Sequence, residues 1–331
     1  MERFALAAAV VLGFALTAAL CSLFVPLRRV LERREQQQQP VQSEQPRPAP
    51  LRAPLWGGLC AAAGTVAAVG VGWLAACVGQ PELLGSESRL MTRLLTALAG
   101  SLAFGAVGLA EDLARMRSPA ALGLRRDVRL LLEALAAAFV LLLLRAAGCL
   151  PRGLGVPGAG YVLLGSAVPF LWAVLMVALA ECARVAERDE GAVCGAAFVA
   201  MLALMMVEAG LGVSGLAVLP AALAGALVAL GLWAFPPARL GVGCCGSLLA
   251  AGAIGCIPLS LDMTSLTVPL ALPFWAAGGL LAAQLLCAKR TGKPLRCWVK
   301  KHKMSPETVF LCSFALSAVG YVLALALLRW C

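Results

Sequence analysis

Seventeen acidic side chains occur in this 331-residue chain, and those whose spacing could support chemistry are concentrated in two places. Glu111 and Asp112 end a long apolar run, and Glu181, Glu187, Asp189 and Glu190 fill the short segment between two later runs. Glu187 and Glu190 are three residues apart, so a helix that begins early carries both on one face. Arg125, Arg126 and Arg129 follow the first pair, and Arg239 lies between two nearly fused apolar runs. Carboxylates massed beside guanidinium groups could bind a divalent cation and a phosphorylated substrate. The same residues also read as a solvated loop with ordinary acids, and composition leaves both readings open. His302, the single histidine, is flanked by Lys301 and Lys303 and reads as an exposed loop residue. The 13 cysteines are odd in number, fall mostly inside apolar runs and show no recurring zinc spacing, so they read as small packing residues.

The elements that must position these groups follow from composition. Mean hydropathy is +0.90; 61% of residues are hydrophobic and 13% are charged. Soluble chains are about one-quarter charged, so a water-soluble globular protein is excluded. Long unbroken apolar runs exclude a β-barrel, whose strands alternate in short segments. The expectation is an all-α polytopic membrane protein of about ten transmembrane helices forming a single integral membrane domain, 1–331. The runs are Phe4–Val25, Leu55–Val78, Leu94–Ala110, Leu130–Leu144, Tyr161–Ala180, Gly191–Val207, Leu211–Phe235, Leu240–Leu259, Leu266–Cys287 and Thr308–Leu328. Each is expected to be helical because lipid cannot satisfy backbone N–H and C=O groups. Phe4–Val25 is too long for a signal-peptide core, and its basic cluster, Arg28 and Arg29, follows it.

Charge sets an expected orientation. With the N-terminus outside and the runs alternating, the inside segments carry 21 of the 27 Lys and Arg residues. The net charge of +10 therefore reads as the positive-inside bias, with anionic lipids as partners of the basic last inner loop and no nucleic acid. Both termini are expected outside. Residues 26–54, rich in Gln and Pro, are expected to be a flexible cytoplasmic loop. No internal repeat is visible, and Glu133, Glu208 and Asp262 fall near run ends, which disfavours a transporter.

Five short stretches recur in order on the expected cytoplasmic face. They are Pro54-Leu55-Trp56-Gly57-Gly58; Gly108-Leu109-Ala110-Glu111-Asp112; Arg184-Val185-Ala186-Glu187-Arg188-Asp189-Glu190-Gly191 with Gly195; Phe235-Pro236-Pro237-Ala238-Arg239 followed by Gly243-Cys244-Cys245-Gly246-Ser247; and Lys293-Pro294-Leu295-Arg296-Cys297-Trp298. Leu122-Gly123-Leu124 with its basic neighbours lies between the second and third. In these motifs the chain resembles the polyprenyl-phosphate N-acetylhexosamine-1-phosphate transferase superfamily, and within it looks most like the phospho-N-acetylmuramoyl-pentapeptide transferases, translocase I of peptidoglycan synthesis. The chain departs from that pattern at the family's Mg²⁺-binding Asp, which is Cys244, at an Asn, which is Arg184, and at a His cluster, which is absent.

The resemblance implies ten spans, a bacterial cytoplasmic membrane location, and a cytoplasmic-facing site. It implies transfer of phospho-N-acetylmuramoyl-pentapeptide, or a related phospho-amino-sugar, from a UDP carrier to undecaprenyl phosphate, with Mg²⁺ as the cofactor of an active site. Catalytic roles fall by this resemblance on Glu111 and Asp112, toward the lipid phosphate, and on Glu187 and Glu190, toward Mg²⁺ or the nucleotide. Substrate contacts fall on Gly57, Gly58, Arg125, Arg129, Arg239, Gly246 and Ser247, and the metal position on Cys244. Undecaprenyl phosphate and a UDP-amino-sugar are the implied partners, and a homodimer is compatible with them. The alternative implied by the departures is a catalytically inactive paralogue that serves as a binding or regulatory partner in envelope biogenesis.

Overall fold

The computed structural model describes residues 2–38, 56–79, 88–117, 123–151, 153–156, 160–163, 165, 167–187, 190–213, 215–235, 238–291 and 306–330. Its main elements are α1 (Glu2–Gln38), α2 (Gly57–Gly79), α3 (Ser88–Arg117), α4 (Arg126–Ala146), a β1–β2 hairpin (Gly153–Val156 and Gly160–Leu163), α5 (Ala167–Ala186), α6 (Glu190–Gly210), α7 (Val218–Ala234), α8 (Gly243–Ser260), α9 (Thr267–Leu270), α10 (Leu272–Thr291) and α11 (Pro306–Trp330).

Among the described residues, seven helices are long and apolar enough to cross a membrane, or eight when α9 and α10 with the preceding turn are taken as one broken span. The protein is thus an all-α polytopic membrane protein with one short hairpin. Every one of the ten apolar runs contains a helix, yet two fall outside that set. α7 has only 17 residues. α4 carries Arg126, Asp127, Arg129, Glu133 and Arg145. Its buried residues, Arg129, Glu133, Ala136, Ala137, Val140 and Leu144, recur at helical spacing and mark one inward stripe. Leu131, Leu135, Phe139 and Leu142 lie on its exposed surface, a pattern suited to lipid.

Three boundaries correct the sequence reading. α1 continues as helix to Gln38, so the segment expected to be a flexible loop from residue 26 begins as helix; 39–55 lie outside the described residues. The fifth run does not become helical at Tyr161. Gly160–Leu163 pairs antiparallel with Gly153–Val156, and α5 starts at Ala167. Glycines and Pro157 around this segment favour a reversal over a helix start. The ninth run is broken, with a bend of 64° between Thr264–Leu270 and Leu272–Ala283.

α8 is the centre of the bundle. All 18 of its residues are buried, and α2, α3, α5 and α6 pack on it. The sequence Gly-Cys-Cys-Gly-Ser-Leu-Leu-Ala-Ala-Gly-Ala-Ile-Gly-Cys explains why: small side chains let neighbouring helix backbones approach closely. A Cβ on Gly252 would sit 3.0 Å from Phe104 Cβ and 3.1 Å from Ser101 Cα of α3. A Cβ on Gly100 of α3 would lie 2.6 Å from Cys256 Sγ. Lipid supplies no hydrophobic drive between helices, so this interdigitation is what holds α3 to α8.

Candidate functional site

The start of α8 lacks its own cap. Val242 occupies the N-cap position and has no side chain able to accept from the helix. The first backbone N–H groups of a helix have no intrahelical partner, and an N-cap side chain normally accepts from the second or third of them. Here Asp112 of α3 does this from outside. Its Oδ1 accepts from the Cys244 N–H at 3.1 Å and its Oδ2 from the Cys245 N–H at 2.9 Å. Negative charge is also favoured there by the helix dipole.

Glycines permit this approach. Gly243 has φ +68°, a conformation that disfavours other residues, and it turns the chain into α8. A Cβ on Gly108, one turn before Asp112, would run into the Cys244 carbonyl. A Cβ on Gly58 would meet the Gly246 N, and one on Gly57 the Gly241 carbonyl; the Gly57 N–H also donates to that carbonyl at 3.1 Å. The first, second and fourth sequence motifs therefore meet at one helix end.

The third motif arrives through Glu187, just beyond α5. The Cys244 thiol donates to Glu187 Oε2 at 2.8 Å. Asp112, Glu187 and Cys244 are all buried, and one candidate ligand atom from each lies within 4.8 Å of the others.

Three arginines close this cluster. Arg115, one turn after Glu111, donates through Nη1 to Glu187 Oε1 at 2.8 Å and Oε2 at 3.2 Å, and through Nη2 to Glu111 Oε1 at 2.9 Å. Its Nη1 is also 3.8 Å from Asp112 Oδ1. Arg129 donates through Nε to Glu181 Oε1 at 2.8 Å and lies 3.7 Å from Glu111 Oε1. Arg184 pairs with Glu181 and stands 3.9 Å from Glu111 Oε1. Glu111 Oε2 is buried without a hydrogen-bond partner. Farther along the same stripe of α4, Glu133 is fully buried and neither oxygen has one.

The remaining expected residues are distributed around this centre. Gly246 is buried in α8, and Ser247 hydrogen-bonds its own helix at the Gly243 and Cys244 carbonyls, both at 3.2 Å. Arg125 is exposed at the N-cap of α4, and Arg239 is exposed in the α7–α8 connection. Glu190 opens α6, and its side chain lies outside the described residues. So do Lys293–Trp298 and His302. Sequence reasoning missed Arg115, although its spacing of three and four from Asp112 and Glu111 on one helix carries the signal.

The donor set does not suit Mg²⁺, which requires hard oxygen ligands in near-octahedral geometry. One of the three grouped donors is a thiol, which favours softer metals. The Arg115 guanidinium already places a positive charge against Glu187, Glu111 and Asp112. Like charges about 4 Å apart repel by ~4 kcal/mol at the effective dielectric near a protein surface, and a divalent ion feels more.

The comparison with family models matches residues 94–262 to "Glycosyl transferase family 4". That span is just over half of the chain and contains Glu111, Asp112, Arg115, Arg129, Glu181, Arg184, Glu187 and Cys244. No curated protein matches the sequence. The match supports the polyprenyl-phosphate hexosamine-1-phosphate transferase superfamily and, in general terms, a membrane phospho-sugar transferase. A multi-pass helical bundle whose shared helix end gathers the acids and arginines of that matched span is thus a member of glycosyl transferase family 4.

Proposed function

We propose that the protein transfers a phospho-amino-sugar, of which phospho-N-acetylmuramoyl-pentapeptide is the leading candidate, from a UDP carrier to undecaprenyl phosphate at the inner face of a bacterial cytoplasmic membrane. A phosphate oxygen of the lipid attacks the sugar-bound phosphorus of the UDP-sugar. The bond from that phosphorus to the oxygen shared with the uridylyl phosphate breaks, and UMP leaves with the electron pair. The products are a lipid diphosphate sugar and UMP, with no redox change. Such transfers depend chiefly on positioning and charge stabilisation, which arginines can provide through bidentate contacts to phosphate. Arg125 and Arg239, both exposed, are assigned to substrate phosphates, and Arg129 and Arg115 to fixing the acids.

The observation that carries this reading is the meeting of Asp112, Glu187 and Cys244 within 4.8 Å. The positive-inside count supports ten spans with both termini outside, α4 and α7 crossing as members of the bundle. The test is UMP release by the purified full chain in the presence of a UDP-amino-sugar and undecaprenyl phosphate. Release that disappears in Asp112→Asn supports the proposal; no release with any UDP-amino-sugar ends it.

A specific observation favours a second reading. The thiol–carboxylate bond between Cys244 and Glu187, with Arg115 across the same carboxylate, leaves a ready-made ion-pair network in place of an open reaction centre. A non-catalytic membrane partner that still binds the carrier lipid fits this closure. Native mass spectrometry that retains undecaprenyl phosphate on a chain without turnover would select it.

A further inference from the structure

We propose that the Arg115 guanidinium is the resident cation of this pocket, so that the site works, whether in catalysis or in binding, without a divalent metal ion. The family resemblance puts a metal at position 244 with Glu187 or Glu190 toward it, and in the structure Asp112 and Glu187 converge on that position. In this chain the fork of Arg115 spans two of the same groups and Glu111, at 2.8 Å from Glu187, 2.9 Å from Glu111 and 3.8 Å from Asp112.

Three independent features agree with that assignment. Cys244 presents its thiol as a donor to Glu187 at 2.8 Å, the reverse of the electron-pair donation that a metal ligand makes. Asp112 spends one hydrogen bond from each oxygen on the α8 amides. Gly123, with φ +69°, passes close over Arg115, since a Cβ there would be 3.1 Å from Arg115 Cγ and 3.6 Å from Glu111 Cγ. The segment before α4 therefore packs over the arginine stem and keeps its fork turned to the acids. Arg129 and Arg184 both pair with Glu181 and lie 3.7 and 3.9 Å from the same Glu111 Oε1 that Arg115 holds. Among the described residues, Glu111, Asp112, Glu181 and Glu187 thus gather with Arg115, Arg129 and Arg184, and the buried Glu133 lies within electrostatic reach of Glu111, Glu181, Arg129 and Arg184.

Metal uptake can be read whether or not the chain turns over. The full chain in nanodiscs is titrated with Mn²⁺ and the free ion followed by electron paramagnetic resonance, with Zn²⁺ in a parallel calorimetric titration. Wild type is expected to take up neither ion stoichiometrically, and EDTA is expected to leave its melting temperature unchanged. Arg115→Ala with Cys244→Asp, which removes the cation and restores a hard ligand, is expected to bind about one Mn²⁺ per chain at least ~10-fold more tightly than wild type. Stoichiometric uptake of either ion by wild type overturns the proposal, and that arm requires no variant. A folded double variant that still ignores Mn²⁺ also overturns it, because Arg115 would not then be what excludes the metal. UMP release that needs Mg²⁺ sinks this inference while supporting the transferase reading. Absence of both turnover and metal uptake sinks the transferase reading alone.

Discussion

α3 and α8 meet in two different ways along their length. In the middle, Gly100, Ser101, Phe104 and Gly105 of α3 interlock with Leu249, Gly252 and Cys256 of α8 through carbon and sulfur contacts. At the α8 N-terminus, the same two helices are joined by Asp112 on two amides, with a backbone approach at Gly108. Gly252 faces the Phe104 Cβ and the Ser101 backbone, but at Gly100 and Gly105 the seam is tolerant, because the nearest atoms there are Cys256 Sγ and Leu249 Cδ1, side-chain ends that can move. The polar end is not, because its neighbours are backbone atoms and charges with few alternative arrangements. Packing thus sets the separation of the helices, and the polar end sets their register.

Substitutions can break this contrast in order of effect. Gly108→Val should be the most damaging, since its side chain meets the Cys244 and Cys245 backbone; overpacking costs 1–3 kcal/mol and occasionally more, and a rigid backbone neighbour places this case at or above ~3. The measurement is the fraction of monodisperse protein recovered in detergent, expected to fall to near zero. Arg115→Ala leaves the Glu187, Glu111 and Asp112 carboxylates without their common partner. Removing one side of a buried pair costs about 3–5 kcal/mol; Arg115 keeps some solvent contact, so the lower figure of ~3 is expected, read as a fall in melting temperature. Asp112→Asn should cost less, about 1.5–3 kcal/mol, because an amide oxygen still accepts one of the two N–H bonds. Gly105→Ala belongs to the seam. Its Cβ would lie 3.2 Å from Leu249 Cδ1, a mobile side-chain end, and a change below ~1 kcal/mol is expected. An equal loss for Gly105→Ala and Gly108→Val would remove the distinction between the two regions.

Much of this arrangement could be read from residues in order. The long apolar runs required helices, and the paired acids at the end of the apolar part of α3 and after α5 stood out against a chain with 13% charge. That Asp112 caps α8 could not be read, because the bond spans 132 residues and depends on how the helices pack. One local hint existed: Val242 leaves the helix start without a cap of its own. Arg115 was legible in spacing, but nothing local says that its fork reaches Glu187, 72 residues away. The hairpin before α5 escaped notice because Tyr161-Val162-Leu163 is as apolar as the helix it precedes, and periodicity cannot separate a short apolar strand from a helix start. The charged stripe of α4 marks where an apolar run and a membrane crossing cease to be synonymous by composition.

Three chain segments meet at the start of α8, and one distance tests that meeting most directly. An experimental density map of the full chain in lipid should place the Asp112 carboxylate against the Cys244 and Cys245 amides, near the 3.1 and 2.9 Å found here, with Glu187 on the Cys244 thiol. A map that separates Asp112 from the α8 N-terminus by more than a helix diameter, about 10 Å, or puts Glu187 at the other end of the bundle, would contradict it.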